Sequence, residues 1–273
     1  MKFVAILSLI ALFLCSHLSR SSPLDPIEVE PSHLLPRPLI LQYTSSIEEP
    51  SDSTLTQLRC DSWRFAAEAN NLAPWRVVPT ECGTYVRDYV TGLAYRFDLE
   101  MVARESLNHA RTVEIKGDGM DAWIFDIDET LLSNLPYYTS HGYYGLELFN
   151  AHEFDIWVEK AIAPAIESSL ILYEEVRALG FKIFLLTGRS EGHMNVTIEN
   201  LKRAGFLHWD KLILRGPNDK GKTATAYKSE KRREIEEEGY RIHGNSGDQW
   251  SDLLGYSVSS RSFKLPNPMY FIP

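Results

Sequence analysis

After its first fifteen residues, this chain of 273 residues has no long apolar run. It has only three cysteines, and its eight histidines show no metal-ligand spacing, which argues against a zinc site. Positive charge is also scarce, because 28 Lys and Arg against 37 Asp and Glu give a net charge of -9. We therefore expect no nucleic-acid partner, and any site for an anion must be built locally.

The N-terminus has the pattern of a secretory signal. Met1 and Lys2 precede an apolar run over residues 3–15, which is too short to span a bilayer comfortably, and small polar residues follow. We predict a signal peptide over residues 1–22, cleaved between about Ser16 and Pro23. An uncleaved membrane anchor is the alternative. After cleavage we expect no membrane association, and the destination is the cell wall, the extracellular space or the vacuole.

Cleavage would remove Cys15 and leave Cys60 and Cys82 in an oxidising compartment. An even number of cysteines there predicts a disulfide between them. Two free buried thiols are the alternative. Asn195-Val196-Thr197 is an N-glycosylation sequon that the secretory route makes usable.

Residues 23–53 are rich in Pro, Ser and Glu without periodicity, and we predict an extended N-terminal arm there. A single domain is predicted over residues 54–273, in which strands alternate with helices. This order predicts an α/β fold, a parallel sheet with helices on both faces. An N-terminal helical extension precedes the sheet, and one predicted amphipathic helix over residues 84–109 presents one apolar face: Val86, Val90, Leu93, Phe97 and Met101.

A long aromatic-rich segment follows the first predicted strand. Residues 132–157 include seven aromatic side chains, namely Tyr137, Tyr138, Tyr143, Tyr144, Phe149, Phe154 and Trp157. Long loops in compact domains usually serve a function, and this aromatic content argues against disorder. We predict a small cap over about residues 132–162 that stacks on a ligand. The alternative is that these rings only pack the loop against the domain.

Asp126 and Asp128 directly follow the apolar segment 122–125, which has the character of a buried parallel strand. Ligands bind at the carboxyl ends of such strands, and residues two apart on an extended segment face the same side. One carboxylate can attack phosphorus and the other can exchange protons with the leaving group, with a divalent cation to reduce their repulsion. An ordinary turn or helix cap is the alternative.

Three further segments complete a pattern. Thr187-Gly188-Arg189 follows the apolar strand 181–186, and its hydroxyl and free backbone N–H groups can hold a phosphate oxygen, with Gly188 allowing close approach. Lys228-Ser229 opens a basic helical stretch. The acidic segment 247–252 follows a third strand-like run over residues 240–243.

The order of these motifs resembles that of the haloacid dehalogenase-like (HAD-like) phosphohydrolases. Two phrases are similar to those of the plant acid phosphatases related to vegetative storage proteins, a class B-like family: FDIDETLLSN over residues 125–134 and GNSGDQWSD over residues 244–252. The resemblance extends from about Leu58 to the C-terminus. It implies a Rossmann-like fold and hydrolysis of small phosphate monoesters, with magnesium as the cofactor.

The resemblance also implies residue roles. Asp126 is the expected nucleophile, and Asp128 is the expected general acid and base. Thr187, Gly188 and Lys228 are expected to bind the phosphoryl group. Asp126, the backbone carbonyl of Asp128, and Asp248 are the expected magnesium ligands.

Several alternatives stay open. Lys220, Lys222 and Lys231 compete with Lys228, and we prefer Lys228 because related bacterial enzymes carry a similarly placed Lys-Ser pair. Asp252 is a metal ligand, a residue that orients the ligands or an ordinary helix residue, and we prefer the second role. A storage protein with little or no catalytic activity and a phosphotransferase are alternative functions. The sequence is compatible with a homodimer but does not fix the oligomeric state.

Overall fold

A computed structural model describes residues 51–273 of the protein. The predicted signal peptide, Cys15 and all but the last three residues of the predicted arm lie outside the described residues. Within residues 51–273 the first helix begins at Asp52, where the Ser51 side chain accepts a hydrogen bond from the N–H of Thr54. This helix therefore begins two residues before the predicted boundary at residue 54.

The centre of the domain is a parallel sheet of five strands in the order β3-β2-β1-β4-β5. The strands are β1 (Asp121–Phe125), β2 (Lys182–Ser190), β3 (Lys211–Arg215), β4 (Arg241–Gly247) and β5 (Arg261–Lys264). The predicted parallel α/β fold is confirmed. β5 was not predicted from the sequence because it is short and half of it is exposed and polar.

Alternate side chains of β1 enter two separate apolar clusters, one on each face of the sheet. Trp123 and Phe125 pack with helices on one face, whereas Ala122 and Ile124 pack against Tyr227 and its helix on the other. Every residue of β1 is buried. Because both faces are covered, residues 122–125 of the strand are a continuous apolar run rather than an alternating one.

Nine α-helices surround the sheet in the described part of the chain. They are α1 (Asp52–Glu68), α2 (Gly83–Val90), α3 (Leu93–Ala110), α4 (Leu135–Ser140), α5 (Ala151–Val158), α6 (Glu167–Ala178), α7 (Met194–Arg203), α8 (Ala224–Glu237) and α9 (Trp250–Leu253). None of those within residues 51–273 combines the length and apolarity needed to cross a membrane.

The prediction of one amphipathic helix over residues 84–109 is wrong. The chain leaves the helical conformation at Gly92, whose backbone is extended, and α2 and α3 are separate helices. Val86 and Val90 are buried as predicted, but the break changes which face of α3 meets the core. Its buried apolar residues include Tyr95 and Leu99, whereas Leu93, Phe97 and Met101 are exposed by 61%, 60% and 50%.

Cys60 of α1 is bonded to Cys82, which directly precedes α2. Their Cα atoms lie 5.4 Å apart, an ordinary separation for a disulfide, and both residues are buried. The disulfide therefore ties the N-terminal helical extension together, as the cysteine count predicts.

The segment between β1 and α6 contains α4, a short 3₁₀ turn at Tyr143–Gly145, and α5. Its aromatic residues differ in exposure, and Tyr144 and Phe154 are half-buried. Tyr137, Tyr138 and Trp157 are buried, whereas Tyr143 and Phe149 are exposed by 53% and 57%. Packing against the domain thus accounts for some of the rings and not for others.

Candidate active site

The carboxyl ends of β1, β2 and β4 meet at one cavity of about 510 Å³. Asp126 and Asp128 follow β1, and Asp248 follows β4. All three line this cavity, together with Gly188 and Arg189 from the end of β2. The topology thus brings motifs 120 residues apart in the sequence to the same edge of the sheet.

Lys228 lies between two carboxylates. Its Nζ donates to Asp126 Oδ1 and to Asp252 Oδ1, each at 2.5 Å, and all three side chains are buried. Lys228 does not open its helix, contrary to the prediction, because α8 begins at Ala224 with Thr223 as its cap. It lies in the second turn, from which its side chain reaches the cavity.

The other candidate lysines lie elsewhere. Lys222 pairs with Asp219 and Glu230, Lys231 pairs with Glu234, and Lys220 is exposed. Of the four, only Lys228 lines the cavity.

The carboxylates of Asp126, Asp248 and Asp252 form one buried acidic group, with one oxygen of each within 4.8 Å of the others. Burial raises the pKa of Asp126 well above its usual range, and the charges of Asp252 and Asp248 raise it further against the opposing charge of Lys228. Burial and Asp252 likewise raise the pKa of Asp248 to about 7. The group is therefore short of positive charge.

Burial by itself would lower the pKa of Lys228, but the charges of Asp126 and Asp252 outweigh that effect and raise it. Lys228 is thus a cation, and the three carboxylates, once all of them are ionised, leave two negative charges in excess of it. A divalent cation would balance this excess, and hard carboxylate oxygens suit magnesium. The donor set therefore fits the metal that the resemblance implies.

Two further contacts show how this group is held. Asp248 Oδ2 accepts from Gln249 Nε2 and Asn267 Nδ2, both at 2.7 Å. Ser251 also lines the cavity, and its buried hydroxyl has no hydrogen-bond partner among the described residues. A buried hydroxyl of this kind normally meets a ligand or an ordered water.

The carboxylate of Asp252 accepts two hydrogen bonds in addition to belonging to the acidic group. One oxygen accepts from Lys228, and the other accepts from the N–H of Gln249 at 2.9 Å. These contacts fix the turn that presents Asp248 and the ammonium that faces Asp126. The orienting role and the metal-ligand role of Asp252 both stay predictions, because its carboxylate also belongs to the acidic group.

Asp128 is held by a different partner. Arg189 donates from Nε and Nη2 to its carboxylate, and Asn134 Nδ2 donates at 2.8 Å. Burial alone would raise the pKa of Asp128, but the charge and hydrogen bonds of Arg189 and the bond from Asn134 bring it below its usual value. The two carboxylates of the Asp-x-Asp motif therefore have opposite electrostatic environments.

β2 continues to Ser190 instead of ending at residue 186 as predicted, but its pairing with β3 is irregular between Leu186 and Ser190. Within this irregularity, the Thr187 hydroxyl accepts from the N–H of Arg189 at 3.1 Å and is fully buried. A Cβ added at Gly188 would meet nothing within 4 Å. The backbone at Gly188 is consequently open to the cavity, whereas Thr187 is not among the residues that line it.

The sequon residue Asn195 is exposed at the start of α7. Thr197 of the same sequon is fully buried and accepts a hydrogen bond from Arg189 Nη1 at 3.3 Å.

The cap and the C-terminal segment supply the apolar wall of the cavity. Tyr138, Phe149 and Phe154 come from the cap, and Tyr270 and Phe271 come from the last residues of the chain. The rings of Tyr138 and Tyr270 are stacked with centroids 5.3 Å apart.

Sequence reasoning did not assign a role to the C-terminal wall or to Asn267. The adjacent aromatic pair at residues 270–271, inside a Pro-rich stretch, was the only sequence signal for the wall.

Comparison with known proteins gives one consistent result. The sequence model of the HAD superfamily, subfamily IIIB (Acid phosphatase), matches residues 44–273. "Acid phosphatase 1" of Solanum lycopersicum is 58% identical over 241 residues, which cover 88% of this chain and 92% of that protein. "Vegetative storage protein 2" of Arabidopsis thaliana is 36% identical over 236 residues, which cover 86% and 88%.

Among solved structures, the class C acid phosphatase from Bacillus anthracis with tungstate bound aligns with a TM-score of 0.53 at 22% identity. The alignment covers 69% of this chain and 85% of the bacterial one. At this identity the match supports the fold alone, and it agrees with the parallel sheet described above.

Proposed function

The chain belongs to subfamily IIIB of the HAD superfamily, the acid phosphatases, and on this basis we propose that it hydrolyses phosphate monoesters through a phosphorylated Asp126. The observation that carries the proposal is the contrast between Asp126 and Asp128 in one cavity. Asp126 contacts the ammonium of Lys228 and lies in the acidic group that lacks positive charge. Asp128 lines the same cavity but is held by the guanidinium of Arg189.

Asp126 would attack phosphorus with one carboxylate oxygen, and the bond between phosphorus and the leaving oxygen would break. Lys228 would offset the charge shared by the nucleophile and the phosphoryl group. The backbone at Gly188 would lie along the phosphoryl oxygens, and the buried hydroxyl of Thr187, which accepts from the N–H of Arg189, would hold this turn in place. Water then attacks the acyl phosphate, which releases phosphate and restores Asp126.

Asp128 would protonate the leaving oxygen in the first step and take a proton from water in the second. Its contact with Arg189 favours the ionised form, which suits the second step. Arg189 lines the same cavity, so an incoming phosphate would compete with Asp128 for the guanidinium. That competition would ease protonation of Asp128 when the substrate is bound.

Asp126, the carbonyl of Asp128, and Asp248 would hold a magnesium ion, and Asp252 would orient this set through Lys228 and Gln249. When bound, the metal would supply charge compensation for the phosphoryl oxygens.

The stacked pair Tyr138 and Tyr270 gives the leaving group an aromatic surface, which favours aryl esters among the monoesters. We infer that this activity lies outside the cytosol, in the cell wall, extracellular space or vacuole, and the predicted secretory signal, the sequon at Asn195 and the disulfide support this inference.

A storage role is the second candidate, because the chain is also similar to a protein named as a vegetative storage protein. One experiment separates the two functions. The purified protein is assayed at acidic pH on a panel of monoesters, with and without magnesium, and is quenched in acid to trap phosphate on the protein.

Turnover that requires a divalent cation, with labelled phosphate on the peptide containing Asp126, supports the enzyme. A folded protein that neither turns over any ester nor becomes labelled contradicts the phosphatase proposal and favours storage.

A further inference from the structure

The side chain of Asn134 connects the catalytic edge of the sheet to the cap. Asn134 is buried and precedes α4 in the N-cap position, but its side chain makes no capping hydrogen bond. Asparagine is favoured at this position because it normally caps the helix. Here the amide is used elsewhere, since its Nδ2 donates to Asp128 Oδ1 at 2.8 Å and its Oδ1 accepts from Trp157 Nε1 at 3.2 Å.

The chemistry of the two partners fixes the orientation of this amide. An indole N–H can only donate, and an ionised carboxylate can only accept. A group that bridges them must therefore accept at one end and donate at the other. The backbone N–H of Asn134 is also fixed, because it donates to Glu129 Oε1 at 2.5 Å. An aspartate at this position could still accept from Trp157, but it would place a carboxylate against Asp128.

Trp157 belongs to α5, the cap helix that borders the cavity. Phe154, Asp155 and Val158 of the same helix line the cavity that contains Asp128. Trp157 itself is buried behind this wall, where it contacts Asn134. A displacement of α5 would carry the indole with it and would disturb the amide that holds Asp128.

We propose that Asn134 is a positioning residue that couples the placement of cap helix α5 to the orientation of the Asp128 carboxylate. The proposal rests on the proposed function, in which Asp128 is the general acid and base. It deepens that function, because proton transfer at Asp128 then depends on how the cap is seated around the leaving group. Trp157 takes part in the reaction without touching the substrate.

The first test is independent of catalysis. The protein contains six tryptophans, so ¹⁵N labelling of the indoles gives a small set of resonances, and Trp157→Phe assigns the signal of Trp157. We expect Asp128→Ala to shift the Trp157 indole signal while the other five stay in place. Asn134→Leu alone should also shift the Trp157 signal, because the indole loses its acceptor. Adding Asp128→Ala to Asn134→Leu should then cause no further shift, because the connection between the two residues is already broken. A Trp157 signal that is identical in the wild type and in Asp128→Ala overturns the coupling.

The second test measures the reaction. We expect Trp157→Phe, which keeps the ring but loses the donor, to slow an alkyl phosphate roughly tenfold more than nitrophenyl phosphate, because a misplaced acid matters most for a poor leaving group. Asn134→Asp should increase this ratio to about a hundredfold. In both variants kcat should fall more than KM rises.

Asn200→Asp is the matched control. Asn200 is also a buried bridging amide, but both ends of its side chain bond to the backbone of Ala163. Its substitution should slow both substrates equally. A Trp157→Phe enzyme with the wild-type ratio of the two rates overturns the proposal while leaving the phosphatase function intact. If the wild-type protein shows no turnover, the phosphatase proposal fails instead, and the indole resonance alone decides whether Asn134 couples the two residues.

Discussion

Arg189 donates two hydrogen bonds to the carboxylate of Asp128, from Nε to Oδ2 at 3.0 Å and from Nη2 to Oδ1 at 2.7 Å. The guanidinium is buried, and its remaining nitrogen donates to Thr197. A planar guanidinium can bind a carboxylate or a phosphate through two parallel hydrogen bonds, which an ammonium group cannot. The contact therefore favours the ionised form of Asp128 and places beside it a guanidinium whose geometry suits a phosphate.

Arg189→Lys should show that the two-bond geometry of the guanidinium contributes more to activity than its positive charge. Lysine keeps one positive charge but cannot make both bonds, so the pKa of Asp128 should rise and the limb of the rate profile that reports its ionisation should move to higher pH. We expect kcat/KM to fall roughly a hundredfold. The matched control is Arg177→Lys, which alters a surface pair with Glu174. An Arg189→Lys enzyme with the wild-type pH profile would contradict the assignment.

Asp126→Asn should abolish turnover without unfolding the protein. The amide cannot form an acyl phosphate, so we expect a loss on the order of a thousandfold or more. Lys228 keeps Asp252 as its partner, and the variant removes a carboxylate whose pKa is raised by burial. Circular dichroism and thermal unfolding should therefore match or exceed the wild type. Asp88→Asn, a change at an exposed carboxylate, is the control, and near wild-type turnover of Asp126→Asn would refute the nucleophile assignment.

Stability without metal should decrease as the pH rises from acid to neutral. Burial raises the pKa of Glu129 to about 8 and that of Asp248 to about 7. A carboxyl group with a higher pKa in the folded than in the unfolded state, where it is about 4, binds its additional proton between these values. The free energy of unfolding therefore falls as the pH rises through this window, and chelated protein should have a lower Tm at pH 7.5 than at pH 5.

Magnesium should reverse this trend, because it binds the ionised form of Asp248 and stabilises the folded state most where the carboxylates are charged. The rise in Tm on adding magnesium should be larger at pH 7.5 than at pH 5. Glu129→Gln should flatten the pH dependence in chelator, and Glu114→Gln, at an exposed position, should not. A Tm in chelator that increases towards neutral pH is the opposite result and would refute these ionisation states.

The paired substitution Cys60→Ser and Cys82→Ser should lower stability without changing catalysis. On the chain-entropy model, a loop of 22 residues contributes about 3 kcal/mol. Denaturant unfolding with and without a reductant measures this contribution, and the reductant should affect only the wild type. Neither cysteine lines the cavity, so kcat/KM should stay within about twofold of the wild type. Free thiols in the native secreted protein would contradict the disulfide.

Tyr270→Ala should weaken the binding of aryl phosphates selectively. Loss of one stacking partner costs roughly 1 kcal/mol, so KM for a phenyl phosphate should rise about fivefold to tenfold. The conservative Tyr270→Phe should retain most of the affinity. KM for a small alkyl phosphate, which has no ring to stack, should change little in either variant. An equal rise for both substrates would assign Tyr270 a purely structural role.

Motifs that combine an apolar strand with polar residues at its end were readable from the sequence. The run 122–125 is apolar because helices cover both faces of the sheet, so the strand, and Asp126 and Asp128 at its end, could be found without coordinates. The same logic located the Thr187 and Asp248 segments. Residues two apart on a strand share a side whatever the rest of the fold does.

Contacts between distant segments were decided by the tertiary structure. No local pattern distinguishes Lys228 from Lys222 or Lys231. The pitch of α8 places Lys228 at Asp126 and leaves Lys231 in a surface pair, whereas Lys222 precedes the helix and pairs with Asp219. The break at Gly92 turned the predicted apolar face of α3 outward. Apolar periodicity assumes an unbroken helix, and a single extended residue resets its phase.

The sequence by itself thus determined the fold class and the identity of the two aspartates, because both depend on local periodicity and strand ends. Only the tertiary structure decided which charges meet. Arg189 on Asp128, Lys228 between Asp126 and Asp252, and Asn134 between Asp128 and Trp157 each join residues from different elements. Pairing of this kind follows from how the strands and helices are packed, since a charge selects its partner by distance in space and not by separation along the chain.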